Sequence, residues 1–260
     1  MKHVPRKRFG QNFLVDRGVI AQIIHAINPK PTDNLVEIGP GLGALTGPLL
    51  ERVAQLHVIE LDRDLAAHLR GRYPPERLIV HEGDALRFDL ALLPAPLRVV
   101  GNLPYNISTP LLFHFGAQAG RFSDLHFMLQ REVVERMVAQ PSTKAYGRLS
   151  VMLQYRFRME KLLAVPSSAF QPAPKVESAV VRLVPVLRSE GVARDEPLFE
   201  ETVRQAFSHR RKTLRNALSG LATEADLHKA GIAPGLRAEN LSVDEFVAIA
   251  NLLAGQTERP

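Results

Sequence analysis

Four consecutive residues, Asn102-Leu103-Pro104-Tyr105, combine side chains that suit chemistry on a nucleobase. The Asn102 amide oxygen can accept a hydrogen bond from an exocyclic amino group. Pro104 restricts the backbone, so that neighbouring carbonyls can point at one place, and Tyr105 offers a face on which an extruded base can stack. The sequence therefore predicts a base-binding site with these four catalytic residues. The alternative is an ordinary turn with a packed tyrosine.

A second candidate stacking ring is Phe170, which opens the segment Phe170-Gln171-Pro172-Ala173-Pro174. The two prolines stiffen this segment, so the ring has a defined direction. We predict that Phe170 contributes a second stacking surface to the catalytic site. The alternative, that the ring fills the space beneath its own loop, stays open.

A glycine-rich segment, Glu37-Ile38-Gly39-Pro40-Gly41-Leu42-Gly43, follows a short apolar run. Glycines let the backbone pass close to a ligand, so Gly39 and Gly41 are candidate cofactor contacts. Glu60 follows about 20 residues beyond this turn, where a carboxylate can bind both hydroxyls of a ribose. The spacing also fits the dinucleotide fingerprint, but Glu37 and Gly43 favour S-adenosylmethionine over a nicotinamide cofactor.

Asp84 follows the apolar run Leu78-Ile79-Val80. A carboxylate at the end of that strand can accept a hydrogen bond from the amino group of the cofactor's adenine. It can also cap the segment that follows, and the two roles are compatible.

These candidates need a scaffold that brings them together. Short apolar runs alternate with helical patterns five times, and two further strands follow near residues 162–165 and 179–184. This alternation predicts an α/β fold with a mostly parallel seven-stranded sheet covered on both faces. Beyond residue 185 the pattern is only helical, so we predict a first domain over 1–185 and a small all-α domain over 186–260.

Composition limits the classes of function. The chain has 260 residues and no cysteine, which excludes disulfides, thiolate zinc sites and cysteine nucleophiles. Its nine histidines are scattered, so no metal site is expected. No apolar run approaches the roughly 20 residues that span a bilayer, and no signal peptide is evident. We expect a cytoplasmic protein without a membrane partner.

The net charge of +6 hints at a polyanionic partner. Two basic clusters are candidate RNA contacts, and the second lies between two apolar helical patterns. The alternative for each cluster is a solvated surface. The candidates are Arg6, Lys7 and Arg8 near the start, and Arg210, Arg211, Lys212 and Arg215 in the helical region.

Taken together, the chain resembles the KsgA-type rRNA adenine N6,N6-dimethyltransferases over nearly its whole length. Six motifs in the same order carry the resemblance: residues 8–14, 37–43, 101–106, 130–133, 170–178, and Phe207-x-x-Arg210-Arg211-Lys212. The resemblance implies a Rossmann-like class I methyltransferase fold and S-adenosylmethionine as the cofactor. The implied cofactor contacts are Asn12, Leu14, Gly39, Gly41, Glu60, Asp84 and Asn102.

The resemblance also implies the substrate: two adjacent adenines in a hairpin loop near the 3′ end of 16S rRNA, met in the immature small ribosomal subunit. DNA is not expected as a partner, and the protein is expected to be a monomer. Sister families share most of the motifs, namely large-subunit rRNA methylases of antibiotic resistance and a mitochondrial transcription factor group. Leu103 and the Phe207 motif favour the KsgA type.

Two other classes stay open at this point. A nicotinamide-dependent oxidoreductase would use the same glycine-rich turn. An RNA-binding ribosome assembly factor would use the same basic clusters without needing catalysis, and one protein can combine that role with the enzyme.

Overall fold

The computed structural model describes residues 12–186, 188, 191–209 and 211–257. The chain forms two compact units: the first comprises the chain up to Val134 together with Phe157–Pro185, and the second comprises Glu135–Arg156 and the chain from Val186 onward. This differs from the expected uninterrupted first domain, because residues 135–156 group with the helical unit. There the Tyr155 ring packs against Phe199 with ring centroids 4.6 Å apart.

Strands and helices alternate along the first unit and helices dominate the second. The strands are β1 Phe13–Leu14, β2 Leu35–Ile38, β3 Leu56–Glu60, β4 Leu78–Glu82, β5 Leu97–Asn102, β6 Phe122–Gln130, β7 Phe157–Val165, β8 Phe170–Gln171 and β9 Ser178–Pro185. The helices are α1 Arg17–Ile27, α2 Thr46–Leu50, α3 Arg63–Arg72, α4 Ser108–Gly116, α5 Arg131–Met137, α6 Arg148–Arg156, α7 Glu196–Ala206, α8 Leu214–Ala217, α9 Glu224–Lys229 and α10 Val243–Thr257. Single 3₁₀ turns lie at Leu90–Leu92, Ala119–Arg121, Ser167–Ala169 and Ala238–Asn240.

Seven strands form one sheet in the order β4-β3-β2-β5-β6-β9-β7. The pairs from β4 through β6 are parallel, and β9 runs antiparallel to both β6 and β7. This confirms the predicted mostly parallel seven-stranded sheet. The chain moves outward from β2 to β4 and then returns to β5 on the other side of β2, and open sheets bind ligands at such a reversal.

Arg98, near the start of β5, stabilises the sheet at the amino ends of its parallel strands. Its guanidinium donates to Asp33 at 2.6 Å, to Asp124 at 2.8 Å and to the carbonyl of Ile27 at 2.7 Å. The Arg98 side chain is only 13% exposed. This one residue therefore ties the end of α1 and the start of β6 to the strand that carries Asn102.

A separate two-stranded ribbon joins two distant segments. β1 and β8 pair antiparallel, with Leu14 opposite Phe170, and the Val15 amide donates to the carbonyl of Ala169 at 2.8 Å. The sequence gives little sign of this ribbon, because each strand has only two residues.

The second unit has a helical core in which aromatic rings meet. Phe207 lies 5.7 Å from Phe246 and 6.3 Å from Tyr146, measured between ring centroids. A capping box precedes α10, since Ser242 and Glu245 exchange backbone-to-side-chain hydrogen bonds. None of the helices that the structure describes is long and apolar enough to cross a membrane.

Candidate active site

A cavity of about 730 Å³ opens at the carboxyl ends of β2, β3 and β5. This volume is typical of sites that hold drug-sized ligands. Ten of the residues predicted from sequence line it: Asn12, Leu14, Gly39, Gly41, Glu60, Asp84, Asn102, Leu103, Pro104 and Tyr105. The fold therefore brings the predicted cofactor contacts and the Asn102–Tyr105 turn to one place.

The glycine-rich turn after β2 forms one wall. Gly41 has φ +58°, and a Cβ atom there would lie 3.2 Å from the Phe13 ring. A side chain at Gly41 would therefore be both strained and crowded. Sequence reasoning missed Phe13 as a wall of the cavity; its place beside Asn12 and Leu14 was the available signal.

Glu60 stands at the end of β3 with its carboxylate held in place. One oxygen accepts from the Gly41 amide at 3.1 Å and the other from the Asp62 amide at 2.8 Å. Burial raises the pKa of Glu60, and these two backbone hydrogen bonds act in the opposite direction. A carboxylate has about four acceptor sites, so Glu60 keeps the capacity to accept from a ribose hydroxyl.

Glu37, at the end of β2, is a buried carboxyl that also lines the cavity. The Thr46 hydroxyl donates to it at 2.7 Å. Desolvation raises the pKa of Glu37 to about 7, with the Thr46 bond lowering it and the nearby charge of Glu60 raising it. Glu37 was predicted only as part of a cofactor pattern, and its altered ionisation is a finding of the structure.

The Asn102 amide is oriented by the backbone of Asn12, which also lines the cavity. Its Nδ2 donates to the carbonyl of Asn12 at 3.2 Å, which leaves Oδ1 as an acceptor. The preceding Gly101 packs so closely on β2 that a Cβ atom would lie 2.7 Å from the carbonyl of Ile38. Gly101 thus allows the Asn102 turn to sit directly beside the glycine-rich turn.

Hydrogen bonds fix the turn that follows Asn102. The Leu103 amide donates to the carbonyl of Met128 and the Ile107 amide to that of Pro104, both at 3.2 Å. The Leu103 side chain is 1% exposed, so what it offers to a ligand is its backbone. The Tyr105 hydroxyl lies 2.7 Å from the hydroxyl of Ser178, and burial raises the pKa of this phenol.

The position of Asp84 is compatible with both roles predicted from the sequence, the cap of the segment that follows and the cofactor contact. Its carboxylate accepts from the Leu86 amide at 2.9 Å, which caps the turn after β4. It also lines the cavity, close to Gly83 and Ala85.

Phe170 lies elsewhere than expected. Its side chain is 4% exposed and packs in the hydrophobic core that also contains Leu14 and Ala169, and it does not line the cavity. Pairing of β8 with β1 turns the ring inward. This placement favours the alternative, a ring that fills the space beneath its loop, over a free stacking surface.

The cavity carries more carboxylates than cations. Its charged lining residues are Glu37, Glu60, Asp62 and Asp84 together with Arg17 and Arg72. Such a lining suits a ligand with positive charge and hydroxyl or amino donors. Across the described part of the chain, no three His, Asp or Glu residues are grouped as metal ligands.

Four of the seven predicted RNA contacts, Arg6, Lys7, Arg8 and Arg210, lie outside the described residues. The other three belong to the second unit. Arg211 and Lys212 are exposed, and Arg215 is exposed and paired with Glu224 at 3.3 Å.

Comparison with known proteins gives one consistent result. Residues 2–255 match the family model for ribosomal RNA adenine dimethylase. The chain is 62% identical to "Ribosomal RNA small subunit methyltransferase A" of Chromobacterium violaceum, covering 97% of both chains. It is 61% identical to the protein of the same name from Aromatoleum aromaticum, covering 99% of this chain and 97% of the relative.

Two solved structures share the fold. A dimethyladenosine transferase from Plasmodium falciparum superposes with a TM-score of 0.79 at 26% identity, covering 91% of this chain and 95% of that one. The 23S rRNA methyltransferase ErmE superposes with a TM-score of 0.69 at 28% identity, covering 94% and 100%. These matches confirm the resemblance drawn from sequence and the class I methyltransferase fold. The chain belongs to the ribosomal RNA adenine dimethylase family.

Proposed function

We propose that this protein transfers methyl groups from S-adenosylmethionine to N6 of two adjacent adenines, in a hairpin loop near the 3′ end of 16S rRNA. Its substrate is the immature small ribosomal subunit. The observation that carries the proposal is the shared cavity: the Asn102–Tyr105 turn and the Gly39–Glu60 wall face one space.

The cavity walls fit the cofactor. Glu60 is oriented by two backbone amides and keeps lone pairs for ribose hydroxyls. Asp84 and the excess of carboxylates suit the adenine amino group and the positive charge of the cofactor. S-adenosylmethionine, when bound, supplies an electrophilic methyl group on a sulfonium sulfur.

The Asn102 turn prepares the nucleophile. The lone pair of adenine N6 is delocalised into the ring, so the amino group attacks poorly until hydrogen bonds orient it. Because Asn102 commits Nδ2 to the carbonyl of Asn12, its Oδ1 can accept one N6 hydrogen. A carbonyl of the Leu103–Pro104 backbone can accept the other, and the proton leaves after the nitrogen has become cationic. Positioning supplies most of the rate enhancement.

Stacking on Tyr105 helps to hold the extruded base. Extruding a base costs a few kcal/mol, and less from a loop than from a duplex. Stacking on an aromatic ring returns about 1–3 kcal/mol per base. The two nearly cancel, so a hairpin loop is the favourable context.

The large-subunit methylases are the alternative substrate class. The relatives at 62% and 61% identity carry the small-subunit name, whereas ErmE, named for 23S rRNA, is only 28% identical. That difference favours the small subunit.

The experiment measures transfer of labelled methyl groups to unmethylated small subunits, protein-free large-subunit rRNA and duplex DNA, with nucleosides identified by mass spectrometry. We expect dimethyladenosine in the small subunit alone. Label in large-subunit rRNA would favour the resistance-type activity. Absence of label with the cofactor bound would favour an assembly factor.

Replacement of the proposed hydrogen-bond acceptor tests the mechanism. We expect Asn102→Ala to abolish nearly all turnover, while S-adenosylmethionine binding by calorimetry weakens only modestly. Near-normal turnover in this variant would refute the assigned role of Asn102.

A further inference from the structure

Ser178 lies outside the cavity but touches the ring that faces it. Its side chain is 0% exposed, and its Oγ lies 2.7 Å from the Tyr105 hydroxyl. The two residues are 73 positions apart in the sequence. This contact joins the base-binding turn to β9, in the antiparallel part of the sheet.

Ser178 has a rigid foundation. It is the first residue of β9 and pairs with Gln130 of β6 on one side and Val165 of β7 on the other. The next residue back, Glu177, accepts the Arg131 amide through its carbonyl at 2.9 Å. Backbone pairing on two sides fixes the Ser178 hydroxyl to the sheet.

Tyr105, in contrast, sits on a turn. Its backbone carbonyl accepts from the Ser108 hydroxyl at 3.1 Å, which fixes the main chain but leaves the ring free to rotate about its side-chain bonds. The contact with Ser178 removes that freedom at the far end of the ring. Burial also raises the pKa of the phenol, further from neutral pH.

We propose that Ser178 is a positioning residue that sets the angle of the Tyr105 ring against the target adenine. The inference rests on the proposed function. A base stacked on a misaligned ring would present N6 away from the Asn102 acceptor, and an ångström-scale misplacement costs up to about 100-fold in rate. Ser178 therefore acts on the chemical step through Tyr105, without contact with either substrate.

The test compares wild type, Ser178→Ala, Tyr105→Phe and the double variant. Tyr105→Phe keeps the stacking face and breaks the same hydrogen bond from its other end. If Ser178→Ala impairs folding, Tyr105→Phe still tests the loss of this hydrogen bond. Ser150→Ala is the matched control, because Ser150 is also 0% exposed and its hydroxyl bonds a backbone carbonyl in the second unit.

Turnover of unmethylated small subunits is measured at saturating cofactor and RNA, beside cofactor affinity by calorimetry and the thermal unfolding midpoint. A small-subunit hairpin RNA with 2-aminopurine at the target position reports stacking by fluorescence. We expect each single variant to lose about 10- to 100-fold in kcat, with altered 2-aminopurine quenching and near-normal cofactor affinity. The double variant should lose no more than either single one, because both remove one bond.

Three results would overturn the assignment. A kcat for Ser178→Ala equal to that of wild type and of Ser150→Ala would leave the hydroxyl without a role. Losses that multiply in the double variant would make the two side chains independent. A wild-type enzyme that transfers no methyl group to RNA would overturn the proposed function and, with it, this role.

Discussion

Glu37 holds a carboxyl group where burial works against its charge. With a pKa of about 7 in the folded protein and an ordinary value near 4.5, the folded state keeps a proton that the unfolded chain releases. Folding stability therefore falls as the pH rises from about 4.5 through 7. The same carboxyl lines the cavity, where a cationic ligand would favour its ionised form.

Glu37→Gln should remove this pH dependence. Glutamine keeps an oxygen that can accept from the Thr46 hydroxyl, so the local hydrogen bond survives. We expect the variant to gain up to about 3 kcal/mol over wild type at pH 8 and little at pH 4.5, because one pKa unit corresponds to about 1.4 kcal/mol. Urea unfolding of both proteins across this range measures the difference, and parallel pH profiles would contradict it.

At the residue scale, sequence predicted side-chain types better than side-chain surroundings. The cofactor and turn residues were found because glycines, a strand-end acid and Asn-x-Pro-Tyr follow short apolar runs. Phe170 was ambiguous because a stiff loop can turn a ring inward or outward, and pairing of β8 with β1 decides the direction. Ser178 was invisible because its partner lies 73 positions away.

At the scale of elements, β5 is held at both ends by different chemistry. Asn102 faces the cavity at one end, and at the other Arg98 bridges Asp33 and Asp124. The Asp124 side chain is 5% exposed, so loss of its cation would leave a buried charge without its main partner. The ion pairs of Arg98 at the start of β5 therefore help to position Asn102 at the other end of the strand.

Removal of the Arg98 side chain should destabilise the first unit strongly. We expect Arg98→Ala to cost about 3–5 kcal/mol, because breaking a buried ion pair strands the remaining carboxylates. Arg182→Ala is the matched control: Arg182 also bonds Asp124, at 3.1 Å, but is 45% exposed. Its loss should cost less than about 1 kcal/mol. Equal unfolding free energies for the two variants in urea would contradict this account.

The strands of the large sheet were predictable because buried parallel strands form short apolar runs. Helix α2 has only five residues, because the turn that follows β2 extends to Leu45. The β1–β8 ribbon escaped prediction because two-residue strands carry no period. Helix α6 lies within the predicted first domain over 1–185 but groups with the second unit, because periodicity identifies an apolar face and not the partner of that face.

At the scale of the whole molecule, the net charge of +6 raises the hypothesis that exposed cations contact RNA phosphates, and this can be tested. Arg211 and Lys212 are exposed on the second unit, between α7 and α8 in sequence. If they contact phosphates, each removed contact should lower the slope of log affinity against log salt by about 0.7 for single-stranded RNA.

Arg211→Gln combined with Lys212→Gln should therefore weaken RNA binding and flatten its salt dependence. Arg158→Gln combined with Lys161→Gln is the control, since it removes the same charge from exposed positions of β7. Fluorescence anisotropy between low and moderate salt measures both slopes. An unchanged slope in the Arg211 and Lys212 variant would assign the pair to a solvated surface.

The place of β9 in the sheet has a consequence for synthesis. β9 lies between β6 and β7, so β7 is made before the strand that joins it to the sheet. Fifty-five residues separate Gln130, the end of β6, from Pro185, the end of β9. At about 5–20 residues per second this leaves about 3 to 11 seconds in which the edge of β6 is open in the nascent chain. Unpaired strand edges can pair with other chains and cause aggregation. The strand that carries Ser178 therefore also protects β6 from pairing with other nascent chains.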